Sequence, residues 1–135
     1  FNKRADRLVA QFDAIEVNAE GLHANGRFTL GENIADQGGL RVAMTALRNS
    51  LEGKETPAPI DGYTAEQRFY LSYATLWAQN IRDEEIARLT KVDVHSLGKW
   101  RVNGQLIGID DFHKAFGIKE GDAMYIPESE WAKIW

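Results

Sequence analysis

The sequence predicts a mainly α fold with minor β. Apolar residues recur at helical spacing in three separate stretches, Thr-x-x-Glu and Thr-x-x-Gln patterns head two of them, and the alternating runs are few and short. Leu, Ile, Val and Phe make up about 24% of the 135 residues, above the roughly 20% below which chains tend to stay disordered. A length of 135 residues corresponds to one domain or a part of one.

Leu8, Val9 and Phe12 place an amphipathic helix over residues 2–14. Residues 15–30 carry turn signals at Gly21 and at Asn25-Gly26, the strongest hairpin dipeptide in the chain, so an irregular or β-like excursion is expected there. Thr29 to Glu32 fits a capping box opening a second helix, whose stripe of Ile34, Leu40, Ala43, Met44 and Leu47 runs to Leu51. Gly38-Gly39 inside that stripe costs about 1 kcal/mol per glycine against Ala, so another backbone is expected to pass close by. Residues 53–62 hold Pro57 and Pro59 and read as a surface loop. Thr64 to Gln67 is a second capping box, followed by Phe69, Tyr70, Tyr73, Leu76, Trp77 and Ile81 on one face, wide enough to form central core. A shorter helix follows from Asp83 to Leu89. Val92 to His95 alternates, Trp100 to Leu106 reads as a short strand, Asp110 to Phe116 as a short helix, and Met124 to Ile126 as a final extended piece.

Composition narrows the possible partners. A formal charge of −4 argues against a nucleic-acid or anionic-membrane surface. No apolar run approaches the roughly 18 residues of a membrane span, so no membrane contact is expected from this segment. Without Cys there is neither a disulfide frame nor a thiolate metal site, although this leaves the compartment open. The chain opens at Phe1 directly in helical sequence, and we expect it to be a piece of something larger.

Glu32 and Asp36 stand at i and i+4, which projects both carboxylates from one helix face. Such a like-charge pair is mildly unfavourable, by about 0.2–0.5 kcal/mol, unless a cation or cationic partner lies between or beyond it. On spacing alone a solvated helix face is the simpler reading. His23, His95 and His113 have no partner at i+3 or i+4, and no His-Glu-x-x-His occurs. His95 is distinguished only by Asp93 two residues before it and Arg101 six residues after it. In a strand, Arg101 would face opposite Trp100 and Val102, into a cleft or into solvent.

Read together, the motifs say more than each does alone. His23-Ala-Asn-Gly26, then Thr29-Leu-Gly-Glu-Asn-Ile-Ala-Asp-Gln-Gly-Gly39, closely resembles the neprilysin and endothelin-converting-enzyme family of zinc metallopeptidases. The helix from Phe69 to the Leu76-Trp77 pair, the segments Asp93-Val-His-Ser96 and Gly98-Lys-Trp-Arg-Val102, Phe112 to Phe116, and the closing Ile134-Trp135 resemble further family motifs in the same order.

The resemblance implies that residues 1–135 are the C-terminal portion of a thermolysin-like zinc metallopeptidase catalytic domain. It implies Glu32 as a Zn2+ ligand and Asp36 as the carboxylate orienting a zinc-bound His. It further implies His95 as the group stabilising the tetrahedral intermediate, Arg101 as the group binding the substrate carbonyl, and Leu76 and Trp77 as part of the pocket for the hydrophobic side chain. The implied partners are peptide substrates and the upstream part of the same catalytic domain. That part would carry the other two zinc ligands and the catalytic Glu, so the piece alone should be inactive and hold zinc weakly. Leu97 replaces a usual Pro, and Ile118 and Ala132 stand where animal members carry Cys. These departures imply a bacterial member, with an extracytoplasmic location favoured by family habit. The contrasting possibility is a non-enzymatic helical module that presents the Leu76–Trp77 surface to peptides or proteins. If an upstream helix normally covers Gly38-Gly39, the piece should also expose apolar surface.

Overall fold

A computed structural model describes residues 1–134. Trp135, the last residue of the closing Ile134-Trp135 motif, lies outside the described residues. The described residues form six α-helices: α1 (Asn2–Asp13), α2 (Leu30–Leu51), α3 (Ala65–Leu76), α4 (Asp83–Val92), α5 (Gly98–Leu106) and α6 (Asp110–Phe116), with a 3-10 turn at Glu128–Glu130. The expected minor β reduces to two isolated antiparallel bridges among the described residues, Glu16 with His23 and Ile60 with Tyr63.

Two apolar clusters hold all of these helices but α4 together. On one side Leu8 and Phe12 of α1 close over Ala132, flanked by Ile34 of α2 and Trp100 of α5. On the other, Leu40 and Met44 of α2 meet Tyr70 of α3, Leu106 of α5, Ile109 and Phe112. Tyr70 and Phe112 meet edge to face at 5.4 Å, a geometry that places the positive rim of one ring on the negative face of the other. Helix α2 is long enough to serve both clusters. It is therefore the spine of the molecule.

Several local expectations give way to tertiary structure. The Thr29 capping box does not form. The chain already turns helically over Asn25–Thr29, so the Thr29 hydroxyl donates to the Asn25 carbonyl and Glu32 is left free of any capping role. Asn25-Gly26 is no hairpin turn either, since the reversal falls at Asn18–Gly21, where the Asn18 carboxamide accepts from the backbone of Glu20 and Leu22. Gly26 answers a different need. A Cβ there would lie 2.2 Å from the Val9 carbonyl oxygen, so only glycine lets this segment rest on α1.

The Trp100–Leu106 strand is a helix. At about 100° per residue, α5 sends Trp100 to the first cluster, Arg101 to α2 and Val102 to the second cluster, three directions that a strand with two faces cannot supply. Met124–Ile126 has no ladder partner among the described residues, and Met124 instead packs on the second cluster. Helix α3 does form its capping box, with the Thr64 hydroxyl and the Gln67 carboxamide each accepting from the other's backbone N–H. It ends at Leu76, however, and only Tyr70 is fully buried, so it is a flank and not the centre of the core. Among the described residues nothing lies within 4 Å of a Cβ built on Gly39, so none of them supplies the expected close backbone there. Instead an open apolar groove of about 590 Å³ runs between α2 and α3, lined by Ala35, Gly39 and Ala43 on one wall and Phe69, Tyr73 and Leu76 on the other.

Candidate active site

Helix α2 presents Glu32 in its first turn and Asp36 one turn later. Asp36 faces Arg101 in the first turns of α5, and Glu32 faces the segment that links α4 to α5. That segment bends over residues 93–97, and the bend is built by Asp93. Its Oδ1 accepts from the backbone N–H of His95 at 2.9 Å and from the His95 Nδ1–H at 2.8 Å. These two bonds, the backbone one foremost, hold the Asp93 carboxyl below its ordinary range. Since Nδ1 is committed to Asp93, Nε2 faces outward and lies 3.3 Å from Oε2 of Glu32. Both side chains are about two-fifths exposed, so the pair sits at an accessible surface.

One turn further along α2 a stronger contact forms. Arg101 donates through Nε and Nη2 to the two oxygens of Asp36, at 2.7 and 2.6 Å. These side chains are only 15% and 12% exposed. The guanidinium carbon lies 3.8 Å above the Trp77 ring centroid, a stacked cation–π contact. Asp36 holds the Arg101 guanidinium more firmly charged than it would be in water. The Tyr73 hydroxyl donates to the Arg101 carbonyl oxygen at 2.9 Å, and burial pushes this phenol up to about 12, so it remains a donor at any physiological pH.

The structure thus brings Glu32, Asp36, His95, Arg101 and Trp77 into one neighbourhood. Trp77, Asp93, His95 and Arg101 share the walls of a hollow of about 270 Å³. Leu76 is placed apart, 74% exposed and lining the α2–α3 groove with Asp36. Asp93 and Tyr73 are the residues that sequence reasoning did not assign. Asp-x-His spacing is the available signal for the first, because a carboxylate naturally caps the N–H two residues on. Tyr73 gave only an apolar-stripe signal.

The donor set speaks to metal binding. Among the described residues no group of three or more His, Cys, Asp and Glu side chains is arranged to hold an ion. Glu32 nevertheless fits a single ligand position. It is half-exposed and takes no part in a cap, and one contact to His95 leaves lone pairs on both of its oxygens.

The profile of "Peptidase family M13" matches residues 1–131. The chain belongs to peptidase family M13. Among the M13 relatives, it is 32% identical to Neprilysin-2 of Caenorhabditis elegans, covering 100% of this chain and 18% of the relative. It is 31% identical to the Neutral endopeptidase of Lactococcus lactis, covering 100% and 20%. It is 34% identical to human Endothelin-converting enzyme 1, covering 100% and 17%. The crystal structure of the zinc metalloprotease Zmp1 of Mycobacterium tuberculosis, in complex with an inhibitor, superposes with a TM-score of 0.93 at 37% identity, over 99% of this chain and 21% of that one. PepO from Lactobacillus rhamnosis gives 0.77 at 28% identity, over 97% and 19%. This M13 chain therefore spans about a fifth of the length of the relatives it matches. Its helical architecture is that of the corresponding region of M13 metalloproteases.

Proposed function

We propose that this chain contributes part of the active site of a zinc-dependent endopeptidase that hydrolyses peptides on the amino side of hydrophobic residues. The observation carrying the reading is the double meeting of α2 with the 93–101 segment, Glu32 with His95 and Asp36 with Arg101. Zinc, when held by Glu32 and by two ligands from outside these residues, would polarise the scissile carbonyl and acidify a water molecule.

The chain's own residues do the rest. His95, fixed through Nδ1 by Asp93, offers Nε2–H to the carbonyl oxygen as negative charge gathers there. Arg101, clamped by Asp36 and stacked on Trp77, keeps its Nη1 hydrogens for a substrate carbonyl. Trp77, in the same hollow as His95 and Arg101, supplies apolar surface for the neighbouring side chain, and Leu76 adds exposed apolar surface on the α2–α3 side. In this reading Glu32 is one metal ligand, and the other two ligands and the general base come from a part of the protein outside these residues.

Sequencing the coding region ahead of Phe1 and assaying the full-length product test the reading. A His-Glu-x-x-His motif is expected there, with peptide hydrolysis that a chelator abolishes and Glu32→Gln severely impairs. An upstream region lacking both histidines, or hydrolysis indifferent to chelation, would overturn the reading. A peptide-binding module using the open α2–α3 groove would then replace it.

A further inference from the structure

The contact between Glu32 and His95 lies at the surface, and exposed pairs of this kind contribute little by themselves to holding two segments together. One residue further along each segment lies a buried contact. The Ser96 hydroxyl donates to Oδ1 of Asn33 at 2.8 Å, with Ser96 9% and Asn33 1% exposed. The surroundings of Asn33 fix which way its amide points. The Thr29 hydroxyl spends its proton on the Asn25 carbonyl, so it accepts from Asn33 Nδ2 at 2.9 Å. That leaves Oδ1 for Ser96, with Gln105 Nε2 of α5 also close, at 3.3 Å. One fully buried amide therefore joins α2, the His95 bend and α5. A buried hydrogen bond between a hydroxyl and an amide oxygen specifies geometry in a way that a hydrated ion pair does not.

We propose that Asn33 and Ser96 are positioning residues, and that their buried hydrogen bond sets the placement of His95 opposite Glu32. The inference rests on the peptidase reading above, in which that placement decides how well Nε2–H meets the oxyanion. Misplacement of a catalytic group by about 1 Å costs on the order of 100-fold in rate.

The test uses the full-length protein with Ser96→Ala and Ser96→Thr. For Ser96→Ala we expect kcat to fall about 10- to 100-fold, with KM within twofold and zinc content unchanged. Amide hydrogen exchange over residues 93–97 should accelerate in the same variant. Ser96→Thr keeps the hydroxyl and should restore both kcat and slow exchange. Wild-type kcat and exchange in Ser96→Ala would overturn the proposal. So would a loss carried by KM or by zinc content, which marks general loosening, or a Ser96→Thr variant as impaired as Ser96→Ala. If the unsubstituted protein hydrolyses no peptide, the peptidase reading fails on that measurement alone. The exchange comparison then decides separately whether the bond holds the His95 bend.

Discussion

Replacing Asp36 by Asn would test how much of this region's stability depends on one ion pair. The substitution keeps the shape but removes the charge facing Arg101, which remains ionised because a guanidinium does not deprotonate in proteins. An exposed pair would contribute about 0–1 kcal/mol. Here both side chains are 15% exposed or less and the bonds are bidentate at 2.6 and 2.7 Å, so the case is close to a buried pair. Stripping one partner from a buried pair costs about 3–5 kcal/mol. The residual exposure places Asp36→Asn near the lower end, about 3 kcal/mol, or roughly a 10 °C fall in Tm for a domain of this size.

Arg101→Met should cost a similar amount, because Asp36 is then left unpaired while the Met stem still covers Trp77. The double variant, Asp36→Asn with Arg101→Met, removes both charges and should recover part of the loss, giving a coupling energy of about 2 kcal/mol. Urea unfolding followed by circular dichroism, with unchanged m values, measures all four corners of the cycle. Single variants within about 1 kcal/mol of the parent, combined with strict additivity, would show that water screens the pair and that its burial does not strengthen it.

His95→Ala in the full-length protein should lower kcat by about 10²–10³-fold at unchanged zinc content, the usual loss for one oxyanion donor, and a smaller loss would remove His95 from the mechanism. Gly26→Ala should destabilise the chain by about 2–3 kcal/mol in a thermal melt, because its Cβ would collide with backbone and not with a yielding side chain; a Tm equal to the parent's would show that the 24–29 segment can move off α1. The His95 bend should loosen in acid. Asp93 is held below its ordinary value of 3.8, so its stabilising contribution is full above that value and is lost as pH falls through the lowered one. Carboxyl ¹³C titration of Asp93, with exchange rates over 93–97, checks this, and an Asp93 midpoint at or above 3.8 would contradict it.

The helices were legible where local chemistry was complete. α3 begins with a capping box that needs only four consecutive residues, and α6 spans Asp110–Phe116 as its apolar spacing requires. The Thr29 box had equally good residues and failed, because the preceding turn had already claimed the hydroxyl. α5 was illegible for a different reason. Its nine residues bury Gly98, Gly104, Gln105 and Leu106, a set with no amphipathic stripe, since neighbours surround the helix on several sides. Period-based reading works when a helix has one wet face and one dry face.

The candidate site divides along the same line. Ordered motifs named Glu32, Asp36, His95, Arg101 and Trp77, because residue identity at fixed spacing is a property of the chain alone. The alternation of Val92 to His95 misled, since helix α4 takes in Val92 and Asp93 bends the chain back onto His95 through bonds that span only two residues. Pairing across 63 to 65 positions is another matter. That Asp36 binds Arg101, that Ser96 reaches Asn33, and that Leu76 opens on a different hollow from Trp77 were decided only when α2 packed against the α4–α5 segment. Short-range bonds are dictated by covalent reach, whereas a bond between distant residues exists only after the core has fixed the helices that carry them.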